Sequence, residues 1–154
     1  MESNLQPEQE LALAERAAVA PWIDYPPTPW WYEPSGGLLA GALVFVLGEQ
    51  SNLPSAWYAI ALVAVVAMLG AWDGVVVSRQ GAVPRLRRAP AEFVPVIRAY
   101  FVGFALLLAL VVTFYFVVDS RVAAVAAAVG ASGGLYLYER RFAAAAAAVR
   151  KRVA

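Results

Sequence analysis

Four apolar stretches constrain the fold of this chain more than any other feature. They cover residues 35–48, 56–78, 94–118 and 121–138. A helix of about 20 apolar residues crosses the hydrocarbon core of a bilayer, and lipid admits only helices and closed barrels as spanning structures. Charged residues make up 15% of the chain, against about 25% in soluble domains. We therefore predict an all-α, polytopic membrane protein whose four-transmembrane-helix bundle occupies residues 35–141.

The first apolar stretch is the shortest and leaves two readings open. As a helix, its 14 residues extend about 21 Å. It crosses the membrane if the aromatic residues 30–32 and the loop 49–52 lie among the headgroups. The alternative is a re-entrant hairpin that returns to the side it entered.

Residues 1–34 are expected to form an N-terminal arm in two parts. Pro7, followed by Glu8 and Glu10, suits a short helix over residues 7–20. Five prolines within residues 21–34 favour an extended path instead. This segment also carries the aromatic residues Trp22, Tyr25, Trp30, Trp31 and Tyr32. They suit a belt at the lipid–water interface, or a strip on which a partner protein docks.

Basic residues predict the orientation of the chain. Four spans place eleven of the twelve on the side of the N-terminus, namely Arg16, Arg79, Arg85, Arg87, Arg88, Arg98, Arg140, Arg141, Arg150, Lys151 and Arg152. Arg121 is alone on the other side. By the positive-inside rule, both termini and the loop between the second and third spans are cytoplasmic. The basic loop and tail also suit anionic headgroups.

The C-terminal segment and the composition add two expectations. Residues 142–154 form an Ala-rich basic tail with high helix propensity, which should continue the last helix. Arg outnumbers Lys eleven to one, and Ala and Val are abundant, which is typical of GC-rich bacterial genomes. The expected location is therefore the bacterial cytoplasmic (inner) membrane, crossed several times.

Two ionisable residues fall inside the predicted spans. Asp73 lies near the cytoplasmic end of the second span, and Arg98 lies at a similar depth in the third. A carboxylate in lipid must be paired, protonated or hydrated. An Asp73–Arg98 ion pair is the simplest solution. The alternatives are separate snorkelling to water and a role for Asp73 in ion or proton coupling.

Small residues recur four positions apart in three spans. The pairs are Gly37 and Gly41, Gly70 and Gly74, and Gly130 and Gly134. Such faces let helix backbones approach closely in lipid. They predict tight packing within the bundle, or assembly with another subunit.

The amino-acid composition argues against most kinds of catalytic or metal-binding site. The chain has no Cys and no His, which removes the usual thiol nucleophiles, imidazole bases and zinc ligands. No catalytic residue, cofactor or metal is expected. A net charge of +1 gives no reason to expect nucleic-acid binding.

The expected partners are the lipid bilayer and other membrane subunits, in a hetero- or homo-oligomer. These observations favour a small non-catalytic accessory or scaffold subunit of a membrane complex. The alternatives are a protomer of a small oligomeric transporter or channel that uses Asp73, and a lipid-directed enzyme. The enzyme would bind lipid headgroups at the cytoplasmic face through Asp73, Glu92, Arg85, Arg87, Arg88 and Arg98.

Overall fold

A computed structural model describes residues 7–24, 26, 28–80 and 89–153, and 88% of these residues are helical, with no strand among them. The helices are α1 (Pro7–Ile23), α2 (Tyr32–Gly48), α3 (Ser55–Gln80), α4 (Val94–Val117) and α5 (Ser120–Val153). A 3₁₀ turn, Ala91–Phe93, precedes α4. The all-helical class is confirmed. Over the described ranges, three segments are long and apolar enough to cross a membrane: Ser55–Arg79, Ala91–Val117 and Ser120–Val153.

The helix α2 is apolar but shorter, and it lies against α5 through small residues. A Cβ atom at Gly37 would overlap Ser132, and one at Gly48 would overlap Ser120. The two helices are therefore antiparallel and in contact along the whole of α2. Backbones approach this closely only where side chains are absent.

The two remaining long helices pack on different partners. The helix α4 packs against α5, where Val111 lies beside the buried Ala123 and Ala127. The helix α3 packs mainly against α2. The result is a bundle in which α2 and α5 form the centre and α3 and α4 lie on the outside.

The helix α1 is longer than the sequence indicates. It continues through Pro21 to Ile23, although proline inside a helix costs about 3 kcal/mol. The buried Trp22 and Ile23 explain the continuation, since full burial of large apolar side chains contributes about 1.5–3 kcal/mol each. Both ends of the predicted extended path are therefore helical, with residues 21–23 in α1 and residues 32–34 in α2.

The predicted fourth span and the C-terminal tail form one 34-residue helix, α5. Asp119 caps its start, because the Asp119 Oδ1 atom accepts a hydrogen bond of 2.7 Å from the backbone N–H of Arg121. The apolar part of α5 ends at Tyr138. The part beyond it is buried on one face at Phe142 and Val149, so the tail packs against other elements of the chain.

Candidate functional site

The end of the bundle at which α1 meets the last turns of α5 has its own hydrophobic cluster, here called the terminal core. It consists of Val19, Trp22, Ile23, Phe93, Val96, Phe142, Ala145, Ala146 and Val149. The Phe93 ring is central, with its centroid 4.9 Å from that of Trp22 and 4.8 Å from that of Phe142. The terminal core thus joins α1, the start of α4 and the end of α5 on one side of the bundle.

Two arginines of the predicted basic tail form polar contacts around the terminal core. The Arg150 guanidinium donates a hydrogen bond to the Ile23 carbonyl oxygen at the end of α1. Arg152 lies 3.3 Å from the Glu15 carboxylate and 3.1 Å from that of Glu92. These two side chains therefore have structural contacts within the chain besides any interaction with lipid.

The aromatic residues of the predicted belt are found in different environments. Trp22 is only 4% exposed and belongs to the terminal core, whereas Trp30 is 86% exposed. Trp31 lies beneath the Arg79 guanidinium, 5.7 Å from its Cζ atom to the ring centroid. Tyr32 stacks on Trp72 of α3. Tyr25 lies outside the described residues.

A polar contact ties α3 to α2 at this same end. The Trp72 indole N–H donates a hydrogen bond of 2.8 Å to the Ser35 hydroxyl oxygen. The Tyr32 and Trp72 rings stack with centroids 4.8 Å apart. Close by, the Thr28 hydroxyl donates to the Glu139 carboxylate over 2.6 Å. These contacts fix the entry of α2 against both α3 and α5.

The opposite end of the bundle carries a different polar group. Glu49 is 8% exposed, and its carboxylate accepts a hydrogen bond of 2.9 Å from the Asn52 amide. The same carboxylate lies 3.5 Å from the Arg121 guanidinium. Arg121, which the predicted topology places on the opposite side from the other eleven basic residues, thus has an acidic residue beside it.

Asp73 and Arg98 are not joined in the structure. Both side chains are exposed, and neither has a salt bridge to any described residue. The reason is the packing of the helices that carry them, since α3 packs against α2 and α4 against α5. The ion pair predicted between them is absent from this arrangement of the described residues, which leaves Asp73 without its expected partner.

The predicted glycine pairs divide into buried and open positions. Gly37 and Gly41 lie against α5, and a Cβ atom at Gly130 would overlap Leu107. At Gly70 and Gly74 no described atom lies within 4 Å of an added Cβ atom, and the same holds for Gly134. Only the pair Gly37 and Gly41 thus provides internal contacts at both positions, whereas the pair Gly130 and Gly134 provides one.

An open face of α3, here called the glycine face, consists of Gly70, Asp73 and Gly74. Asp73 and Gly74 lie three and four positions after Gly70, and residues at these spacings are neighbours on a helix, so Gly70 has Asp73 on one side and Gly74 on the other. Trp72, which stacks on Tyr32 of α2, occupies a different face. The one acidic residue of α3 therefore belongs to its open surface.

An apolar cavity of about 680 Å³, here called the lateral cavity, lies among α2, α3, α4 and α5. Its walls include Leu69 and Trp72 of α3, Gly103 and Leu107 of α4, and Gly134 of α5. Among the described residues that line it, only Arg141 is charged. Hydropathy did not predict the lateral cavity, because the cavity depends on the distance between α3 and α4.

No group of three or more acidic, His or Cys side chains that could hold a metal ion occurs within the described ranges. Arg85, Arg87 and Arg88 of the basic loop lie outside the described residues.

Comparisons with family models, curated proteins and solved structures found no match to this chain.

Proposed function

We propose that this chain is a non-catalytic accessory or scaffold subunit of a bacterial inner-membrane complex, and that it binds its partner through the glycine face of α3. The observation that carries this proposal is the open space at Gly70 and Gly74. Elsewhere in the same molecule, glycines four apart on α2 receive another helix. A second helix packing on α3 in the same way would use a contact mode already present in the fold.

Asp73 strengthens the proposal that this face is covered in the membrane. An exposed carboxylate within a lipid-facing span is costly unless it is paired, protonated or hydrated. A partner helix that offers a hydrogen-bond donor beside Gly70 and Gly74 would supply that pairing. Polar side chains across helix interfaces in lipid contribute about 0.6–2 kcal/mol each.

The geometry of α2 supports four spans. Its 17 residues extend about 25 Å and run antiparallel to the apolar part of α5 along its length. If that part of α5 crosses the membrane, α2 crosses with it. A re-entrant α2 would leave three crossings and put the two termini on opposite sides, whereas α1 packs against the end of α5 in the terminal core.

Charge supports a cytoplasmic location for the terminal core. The elements that meet there carry Arg16, Arg98 and the three basic residues 150–152, while Arg121 at the opposite end has Glu49 beside it. An excess of Lys and Arg marks the cytoplasmic side. Both termini then lie in the cytoplasm, with the short loops 49–54 and 118–119 on the outside.

A small oligomeric transporter or channel is the second candidate, and the exposure of Asp73 favours it. If the partner on the glycine face were another copy of this chain, several Asp73 carboxylates would lie near one another. Carboxylates clustered within a membrane span are typical of ion and proton pathways. Ion flux through the purified, reconstituted chain would then be expected, and Asp73→Asn would abolish it.

Affinity isolation from native membranes in mild detergent tests the leading proposal. We expect a larger complex of fixed stoichiometry with the wild-type chain, and loss of the partner with the double variant Gly70→Leu/Gly74→Leu. Gly133→Leu is the matched control, because it also adds a side chain in open space. Isolation of the chain alone, without partners, would contradict the subunit proposal.

A further inference from the structure

We propose that the lateral cavity binds one anionic diacyl phospholipid, with an acyl chain between α3 and α4 and the headgroup phosphate at Arg141. This inference rests on the proposed membrane-spanning arrangement, but not on the partner-binding role of the glycine face. The volume of about 680 Å³ lies within the 300–1,000 Å³ typical of ligand pockets.

The chemistry of the walls selects a ligand that is apolar over most of its length. Leu69, Trp72, Leu107 and other apolar side chains line the lateral cavity. Cavities of this kind exclude water and take apolar ligands. In a bilayer the apolar groups at highest concentration are acyl chains.

The position of Arg141 selects the charge of the ligand. It lies beyond the apolar part of α5, where the lateral cavity meets the end of the bundle that carries the terminal core. Within the described part of the chain, no carboxylate forms a salt bridge with it. A guanidinium binds phosphate oxygens with paired hydrogen bonds. The rings of Tyr100 and Tyr138 line the same end, with centroids 5.2 Å apart.

The depth of the lateral cavity matches one leaflet. Along α5 it runs from Arg141 to Ala127, which is about 21 Å at the rise of a helix. Half of a bilayer, including its headgroups, is about 20–22 Å thick. A phospholipid of the leaflet on the terminal-core side therefore fits with its phosphate at Arg141 and its chain end near Ala127.

Native mass spectrometry of the delipidated full chain, titrated with phosphatidylglycerol or phosphatidylcholine, tests the headgroup contact. We expect one phosphatidylglycerol to bind in preference to phosphatidylcholine. Arg141→Gln should weaken phosphatidylglycerol binding about fivefold, the effect of one basic residue near an anionic surface. Arg140→Gln is the control, because Arg140 lies over the Tyr136 ring and does not line the cavity. Equal effects of the two variants would overturn the proposal.

A pair of neighbouring glycines tests the acyl chain. Gly134 lines the lateral cavity and Gly133 does not, yet both have open space at the Cβ position. Gly134→Leu should fill the cavity and abolish specific binding of phosphatidylglycerol, whereas Gly133→Leu should retain it. Retention in both variants would overturn the proposal, as would a purified dimer that excludes lipid and that Gly134→Leu converts to monomer. Loss of the glycine-face partner alone would leave the lipid result unchanged.

Discussion

Gly41 of α2 lies directly against the backbone of α5, because a Cβ atom there would be 2.8 Å from the Ala124 carbonyl oxygen. The nearest side chain, the Ala128 methyl group, would be at the same distance. The two helices therefore depend on the absence of a side chain at this position. The same pattern at Gly37 makes the α2–α5 contact the structural centre of the molecule.

Substitution at Gly41 should consequently destabilise the bundle. We expect Gly41→Leu to lower the free energy of unfolding by about 1–3 kcal/mol or more, the usual cost of overpacking. Gly74→Leu, with no described atom near its Cβ position, should change it by less than about 0.5 kcal/mol. Reversible unfolding in mixed micelles measures both, and equal destabilisation would contradict the assigned packing.

Trp22 and Trp30 should respond very differently to truncation. Trp22→Ala removes a buried ring that contacts Phe93, and such changes cost about 3–5 kcal/mol. We expect α1 to detach and become sensitive to protease. Trp30→Ala should leave the proteolysis pattern unchanged, because the ring is exposed. Protection of α1 in both variants would show that the terminal core does not hold this helix.

Arg152 offers a test of the polar contacts around the terminal core. Arg152→Gln removes the ion pairs to Glu15 and Glu92, which are partly exposed, so we expect a cost of only about 0.2–1 kcal/mol per pair. The effect should be local, as faster amide hydrogen exchange in α1. Arg16→Gln is the control, since Arg16 is exposed and has no ion pair among the described residues. High salt should reduce the difference between the two variants.

The Asp73→Asn variant distinguishes an ion pair within the chain from a contact between Asp73 and a partner subunit. An Asp73–Arg98 pair predicts that Asp73→Asn destabilises the isolated bundle by about 1–3 kcal/mol, through the unpaired arginine. The exposed position of Asp73 predicts less than about 0.5 kcal/mol for the isolated chain, together with weaker assembly. Unfolding of the purified chain and recovery of its complex, measured in parallel, distinguish these outcomes.

Hydropathy predicted the helical class and the segments 56–78 and 94–118, which agree closely with α3 and α4. The predicted segment 121–138 covers only the apolar part of α5. A local signal also located the start of α1 at Pro7. These features depend on neighbours in sequence, or on composition averaged over a span.

The contacts between helices could not be predicted from the sequence in this way. The continuation of α1 through Pro21 depends on the burial of Trp22 against Phe93, some 70 residues away. Gly41 is packed against another helix and Gly74 is open, and this difference depends on which helices are neighbours. The lateral cavity likewise exists because α3 packs against α2, whereas α4 packs against α5. No periodicity within one helix contains that information.

Cysteine accessibility in this cysteine-free chain tests four spans with cytoplasmic termini most directly. Ser51 is exposed at one end of the bundle, whereas Ala17 and Ala148 are exposed at the other, and each can be replaced singly by Cys. In intact cells, we expect an impermeant thiol reagent to label Ser51→Cys, and to label Ala17→Cys and Ala148→Cys only after the membrane is permeabilised. Labelling of Ala17→Cys and Ser51→Cys from the same side would contradict the four spans, because α2 would then not cross the membrane. Labelling of Ala17→Cys and Ala148→Cys without Ser51→Cys would reverse the orientation.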